Sequence, residues 1–135
     1  MIKRVNHVGV VVSNLDEELK RYERVYGAKP AVVKVAMEGK LKVAFIPVGD
    51  GEIELLQPLD PQISFGQVLR TRGQGIHHIA LETDDIEGDV ERMKKEGVAF
   101  DAEKPRVGAH GVRIIFTKAE TTGGVAIELC ESKAR

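Results

Sequence analysis

The sequence predicts an α+β fold of two tandem βαβββ modules, and two observations carry that prediction. The first is self-similarity: NHVGVVVSNLDEELKRYERVYG (6–27) has a partner in HHIALETDDIEGDVERMKKEG (77–97), and KVAFIPVGDGEIELLQP (42–58) has one in VRIIFTKAETTGGVAIELCE (112–131). The second is spacing. His7 and His78 are 71 residues apart and Glu54 and Glu128 are 74 apart, so one short insertion brings the two copies into line.

Each element has a local cause. In the first strand Val8, Val10 and Val12 alternate with His7. Asn14 or Asp16 can cap the helix that follows, Leu15, Leu19 and Tyr22 recur at helical spacing, and Gly27 supplies a left-handed stop. Two further strands flank the turn at 49–51, which closes a first module over about 3–58. A connector helix over about 60–73 follows, with Pro61 at its first position. The second module, about 75–131, repeats the pattern. His78 alternates with Ile79 and Leu81, Asp84 or Asp85 caps a helix carrying Ile86, Val90 and Met93, and Gly97 ends it. The two modules are expected to share one domain, 1–135.

The 20 Lys and Arg nearly cancel the 21 Asp and Glu, so no strong field draws the chain to nucleic acid or to an anionic membrane. A single cysteine, Cys130, excludes an intrachain disulfide framework and agrees with a reducing compartment. No signal-peptide core is visible at the start, and no apolar run approaches the roughly 18 residues of a membrane span. A cytoplasmic, soluble protein is expected.

The matched polar residues point to a metal. The pleat sets His7 and His78 on the face opposite their apolar neighbours, and it does the same for Glu54, between Ile53 and Leu55, and Glu128, between Ile127 and Leu129. A carboxylate at mid-strand on a covered face is costly unless it is paired or bound to a cation. Two imidazoles and two carboxylates meet that need, and their mixed N and O donors suit cobalt, nickel, manganese, iron or zinc. Four protein ligands leave two positions of an octahedral ion open for a bidentate substrate. His77 falls on the other face, as a packing group, and His110 lies in the loop VGAHG, either in solvent or at a pocket.

With these residues in view, HVGVVV, GEIELLQP, GIHHIAL, VGAHG and GGVAIEL resemble the vicinal oxygen chelate superfamily and, within it, the methylmalonyl-CoA epimerase family. The resemblance covers nearly the whole chain. It implies paired modules closing into a cup-shaped mixed sheet around a metal, with cobalt expected first, held by His7, Glu54, His78 and Glu128 in a homodimer. The implied substrate is an acyl-CoA thioester whose α-proton is removed on one face and returned on the other. Such a reaction needs an acid/base on each face. The resemblance assigns one to Glu128 and leaves Lys42 and Glu38 as candidates for the second, since neither reproduces the glutamate found in some of these epimerases. KAETTGG (118–124) departs from the family's His-Pro-Lys sequence, and Lys104, Arg106 and Arg113 are candidate partners for the CoA phosphates. The alternatives are a glyoxalase-type lyase with the same ligand order and a non-catalytic module that holds a ligand in the same fold. A ring-cleaving dioxygenase, with two histidines and one glutamate, leaves Glu54 without a role.

Overall fold

The computed structural model describes residues 1–133. In chain order the first module runs β1 (Ile2–Val11), α1 (Leu15–Tyr26), β2 (Val32–Ala36), β3 (Leu41–Val48) and β4 (Gly51–Pro58). The connector helix α2 (Ser64–Arg72) leads to β5 (Gly75–Thr83), α3 (Ile86–Lys95), β6 (Arg106–Val107), β7 (Arg113–Phe116), a 3-10 turn (Ala119–Thr121) and β8 (Ala126–Glu131). The βαβββ unit therefore occurs twice, as a mixed sheet flanked by helices. Hydrogen-bonded neighbours run β2-β3-β4-β1 in the first copy and β5-β8-β7-β6 in the second. In each copy the first and last strands pair in parallel and the later strands pair antiparallel.

The helices begin and end where their sequences dictate. The Asn14 side chain accepts the Glu17 N–H at 3.1 Å, and Asp85 accepts the Gly88 N–H at the same distance. Each satisfies a donor that a helix start leaves open. Gly27 takes a left-handed φ of +67° and Gly97 one of +91°, conformations that a side chain disfavours. The start of α1 is also tied to the end of β4, because the Leu15 N–H donates to the Gln57 side-chain oxygen at 2.8 Å. The connector corrects the sequence reading. Pro61 precedes the helix instead of opening it, because the Asp60 carboxylate accepts the Gln62 N–H at 2.8 Å and closes a separate turn first. That turn folds against α2 so closely that a Cβ on Gly66 would lie 2.6 Å from the Asp60 carbonyl oxygen.

By compactness the chain divides into His7–His77 and a second unit made of Met1–Asn6 with the chain from His78 onward. In the first, Val12, Leu15, Ala44, Ile46 and Leu55 form the core beneath α1. In the second, Ile86, Val90, Phe100, Ile115 and Leu129 do the same beneath α3. Burying each of the larger side chains is worth roughly 1.5–3 kcal/mol. On the other face of the second unit Cys130 is buried with Ala80 and Ile114, the packing role its small thiol suits. The N-terminal ammonium lies 2.9 Å from Asp84 and 3.3 Å from Asp89, which fastens the start of β1 within that unit. Among the described residues no helix is long and apolar enough to cross a membrane.

Candidate metal centre

Strand register brings each histidine to its glutamate. On β1, His7 and Gly9 point to one face, and Gly9 stands level with Glu54 of β4. With no side chain at Gly9, His7 reaches past it, and its Nε2 lies 3.5 Å from Glu54 Oε1. The second unit repeats the device with a residue almost as small. Ala80 stands level with Glu128 of β8, and His78 Nε2 lies 3.5 Å from Glu128 Oε1. The Phe116 ring and the His78 imidazole meet edge to face, with centroids 4.9 Å apart.

All four residues are buried, at 5% exposure or less. His7, Glu54 and His78 each offer a ligand atom within 4.8 Å of the other two. Bonds of about 2.0–2.2 Å to a common ion would place ligand atoms up to about 4.4 Å apart, so the cluster fits a divalent cation with small adjustments. Glu128 touches His78 within the second unit and is not itself one of these three. The electrostatics agree with a site that calls for positive charge. Burial, with Glu52 adding repulsion, pushes the Glu54 carboxyl up to about 8, against a smaller opposing pull from Lys34. A cation would relieve that penalty.

The other sequence candidates fall elsewhere. Lys42 pairs across the sheet with Gln57, and its ammonium lies 3.3 Å from Asp16 of α1. The residues that share a face with Glu54 on β3 are its neighbours Val43 and Phe45, whose partners across the strand are Leu56 and Glu54. Lys42 is thus on the helix-covered side, one residue out of phase with the ligands. Glu38 is exposed in the turn between β2 and β3, where it and Met37 both take left-handed φ values near +55° and +52°. Neither is brought to the triad. We expect Lys42→Ala and Glu38→Ala to keep turnover within about threefold of the native rate in steady-state assays, whereas a loss of about a hundredfold in either would return that residue to the chemistry.

His77 packs against Phe65, with ring centroids 4.8 Å apart, and burial together with Arg72 lowers its pKa to about 4. It is a neutral packing group at pH 7, as its place in the pleat implied. His110 is half-buried in the loop before β7. The proposed CoA partners are engaged: Arg113 with Glu87 and Glu131, Arg106 with Asp101. KAETTGG folds on itself, with the Thr121 hydroxyl donating to the Lys118 carbonyl at 2.7 Å while accepting the Ala99 N–H at 3.1 Å. Sequence reasoning passed over Gly9 and Ala80, which make room for the glutamates, and Phe45 and Phe116, which stand beside them. The repeat could have revealed both pairs.

Residues 6–116 match the model of the glyoxalase/bleomycin resistance protein/dioxygenase superfamily. The chain belongs to this superfamily. Within this vicinal oxygen chelate group, human mitochondrial methylmalonyl-CoA epimerase is 34% identical over 93% of this chain and 72% of its own. An ethylmalonyl-CoA/methylmalonyl-CoA epimerase of Cereibacter sphaeroides is 31% identical over 96% of this chain and 98% of its own. A substituted methylmalonyl-CoA epimerase of Streptomyces coelicolor, solved in complex with 2-nitronate-propionyl-CoA, superposes with a TM-score of 0.90 at 30% identity, covering 99% of this chain and 100% of that one.

Proposed function

We propose that the chain is a methylmalonyl-CoA epimerase, which interconverts the (R) and (S) thioesters by removing and returning the proton on the α-carbon. The observation that carries this reading is the buried His7–Glu54–His78 cluster in a chain whose likeness to such epimerases runs nearly end to end. In our reading His7, Glu54, His78 and Glu128 hold one divalent ion, cobalt first, with nickel, manganese, iron and zinc as the other ions this donor set accepts. The ion would supply Lewis-acid stabilisation of the negative charge that develops on the thioester oxygen once the α-proton leaves.

The protein's own groups then have to move the proton. Glu128, a carboxylate held beside His78, is assigned as the base on one face of the carbon. The acid/base on the other face is assigned to Glu54, which occupies the corresponding position in the first module and lies equally close to its own histidine. This assignment replaces Lys42 and Glu38. The homodimer and the cytoplasmic location carry over as part of the same proposal, from family likeness and from the lone cysteine.

The test is isotopic. Protein loaded with Co²⁺ is incubated with (S)-methylmalonyl-CoA in deuterated water. The expected result is deuterium at the α-carbon together with loss of optical purity. No incorporation with any of the five metals would overturn the proposal. Turnover of a glutathione hemithioacetal in its place would assign the chain to the lyase branch, and tight thioester binding without exchange would make it a binding module.

A further inference from the structure

In the second unit the outer edge of β7 passes from a paired strand to a single residue at the position that faces Glu128. β6 covers only Arg113 and Ile114, and the next bridge outward joins Phe100 to Thr117. Residues 101–105 bend away between these pairings, so no strand is left to satisfy the outer edge of Phe116. Asp101 takes its place. Its N–H donates to the Phe116 carbonyl at 2.9 Å, and its carboxylate accepts the Phe116 N–H at 3.1 Å. With both backbone groups turned outward, Phe116 meets Glu128 as a non-hydrogen-bonded pair, the arrangement in which side chains across a ladder stand closest.

The ring is held as well as the backbone. The same Asp101 carboxylate accepts two hydrogen bonds from the Arg106 guanidinium, at 2.9 and 3.2 Å, and the guanidinium carbon lies 5.9 Å from the centre of the Phe116 ring. That ring meets the His78 imidazole edge to face, with centroids 4.9 Å apart and planes at 89°. A line of contacts thus runs from the half-exposed Asp101 and Arg106, through Phe116, to the buried His78 and Glu128. An exposed ion pair contributes little by itself. This one is bidentate and anchored to the Phe116 backbone, so what it fixes is the place of a ring. An imidazole free to turn about its own side-chain bonds loses part of its geometry as a ligand, and the groups behind a ligand set its orientation.

We propose that Phe116, clamped by Asp101 and Arg106, is a positioning residue that sets the orientation of His78 and Glu128. Its effect on metal affinity rests on the metal-binding part of the proposed function and not on the identity of the substrate. Phe116 has no donor to offer an ion, so its effect has to pass through the two side chains beside it. Groups that orient metal ligands typically account for roughly ten- to a hundredfold in metal affinity. Phe116, which packs on a ligand without hydrogen-bonding it, belongs at the lower end of that range, and Asp101, one contact further out, below it. Ile115, the preceding residue of β7, lies on the other face in the core beneath α3, so it shows what loosening the same strand does without touching His78.

The experiment measures Co²⁺ affinity by competition with a chelator, and the visible spectrum of the bound ion, in native protein, Phe116→Leu, Phe116→Tyr, Asp101→Asn, Asp101→Ala and Ile115→Val. Phe116→Leu is expected to weaken Co²⁺ about tenfold and to alter the spectrum, and Phe116→Tyr, which keeps the ring, to stay near native in both. Asp101→Ala should weaken binding about threefold. Asp101→Asn keeps an oxygen for the Phe116 N–H but not the charge for Arg106, and should fall between Asp101→Ala and native. Ile115→Val should unfold more readily yet bind Co²⁺ as native protein does. Native affinity in Phe116→Leu or in Asp101→Ala overturns the proposal, as does an equal loss in Ile115→Val, which would mark a general loosening of the strand. Asp101 is at the surface, so its two variants decide the matter if Phe116→Leu does not fold. The His78 ring signals of the metal-free proteins, followed by NMR, depend on no ion. One sharp set is expected in native protein and exchange broadening in Phe116→Leu and Asp101→Ala, and identical signals in all three overturn the proposal. If native protein binds none of the five metals while the ring signals behave as expected, the metal reading fails and the positioning of His78 stands. If native protein binds Co²⁺ and neither variant changes affinity or ring signals, the positioning alone fails.

Discussion

Glu128→Gln is expected to lower α-proton exchange from methylmalonyl-CoA by about a thousandfold, the middle of the range for losing a general base. Glutamine keeps the length of the side chain and an oxygen for His78, whose Nε2 now lies 3.5 Å from the carboxylate. It cannot accept a proton at any working pH. Folding should be little affected, because the surrounding packing by Leu129 and Ile115 is on the other face of β8. Cobalt bound by the variant, followed through its visible spectrum, separates loss of the base from loss of the ion. A variant that retains cobalt, folds normally and exchanges at the native rate would remove Glu128 from the chemistry. If cobalt is lost along with exchange, Glu128 serves chiefly as a ligand. The corresponding change in the first module carries the same logic: with Glu54 as the second base, Glu54→Gln should stop inversion as well.

Much of this site was legible in the sequence because period-two alternation is strict where one face is polar. His7 among valines, and Glu54 between Ile53 and Leu55, declare their faces without a structure, and the repeat supplies their partners. β3 declares nothing of the kind. Val43, Ala44, Phe45 and Ile46 are apolar on both faces and all buried, so no alternation shows which residues accompany Glu54. Lys42 can then be read onto either side of the sheet, and only its pairing with Gln57 shows that it lies on the face away from Glu54. The start of α2 failed differently: a proline at a plausible first position was read as helix, whereas the Asp60 side chain had already committed that backbone to a turn.

The buried carboxyl of Glu54 makes the metal-free protein less stable as pH rises, and this should be directly measurable. Its pKa is raised from 4.5 to about 8. Between those values the folded chain holds a proton that the unfolded chain has released, so stability falls with rising pH across the window. His77 works in the opposite direction, since a pKa lowered from 6.5 to about 4 costs stability as pH falls below 6.5. The carboxylates with lowered pKa, Glu82, Asp84, Glu87, Asp89 and Glu131, matter only in more acid solution. From about pH 6.5 to 8 Glu54 contributes about 1.4 kcal/mol of loss per pH unit, roughly 2 kcal/mol across the window. Glu54→Gln should remove this contribution and, at about pH 8 without metal, make the chain more stable than native by on the order of 4 kcal/mol. Urea unfolding in the presence of a chelator tests both statements, and parallel pH profiles for the two proteins would mean that Glu54 ionises as an ordinary surface carboxyl. Adding Co²⁺ should reverse the order. The ion binds the deprotonated carboxylate, so in native protein its apparent affinity rises as pH approaches about 8 and protons are released to the buffer, while the glutamine variant, with one anionic ligand fewer, gains much less. A group that weakens the empty fold and strengthens the loaded one is what a site built for a cation requires.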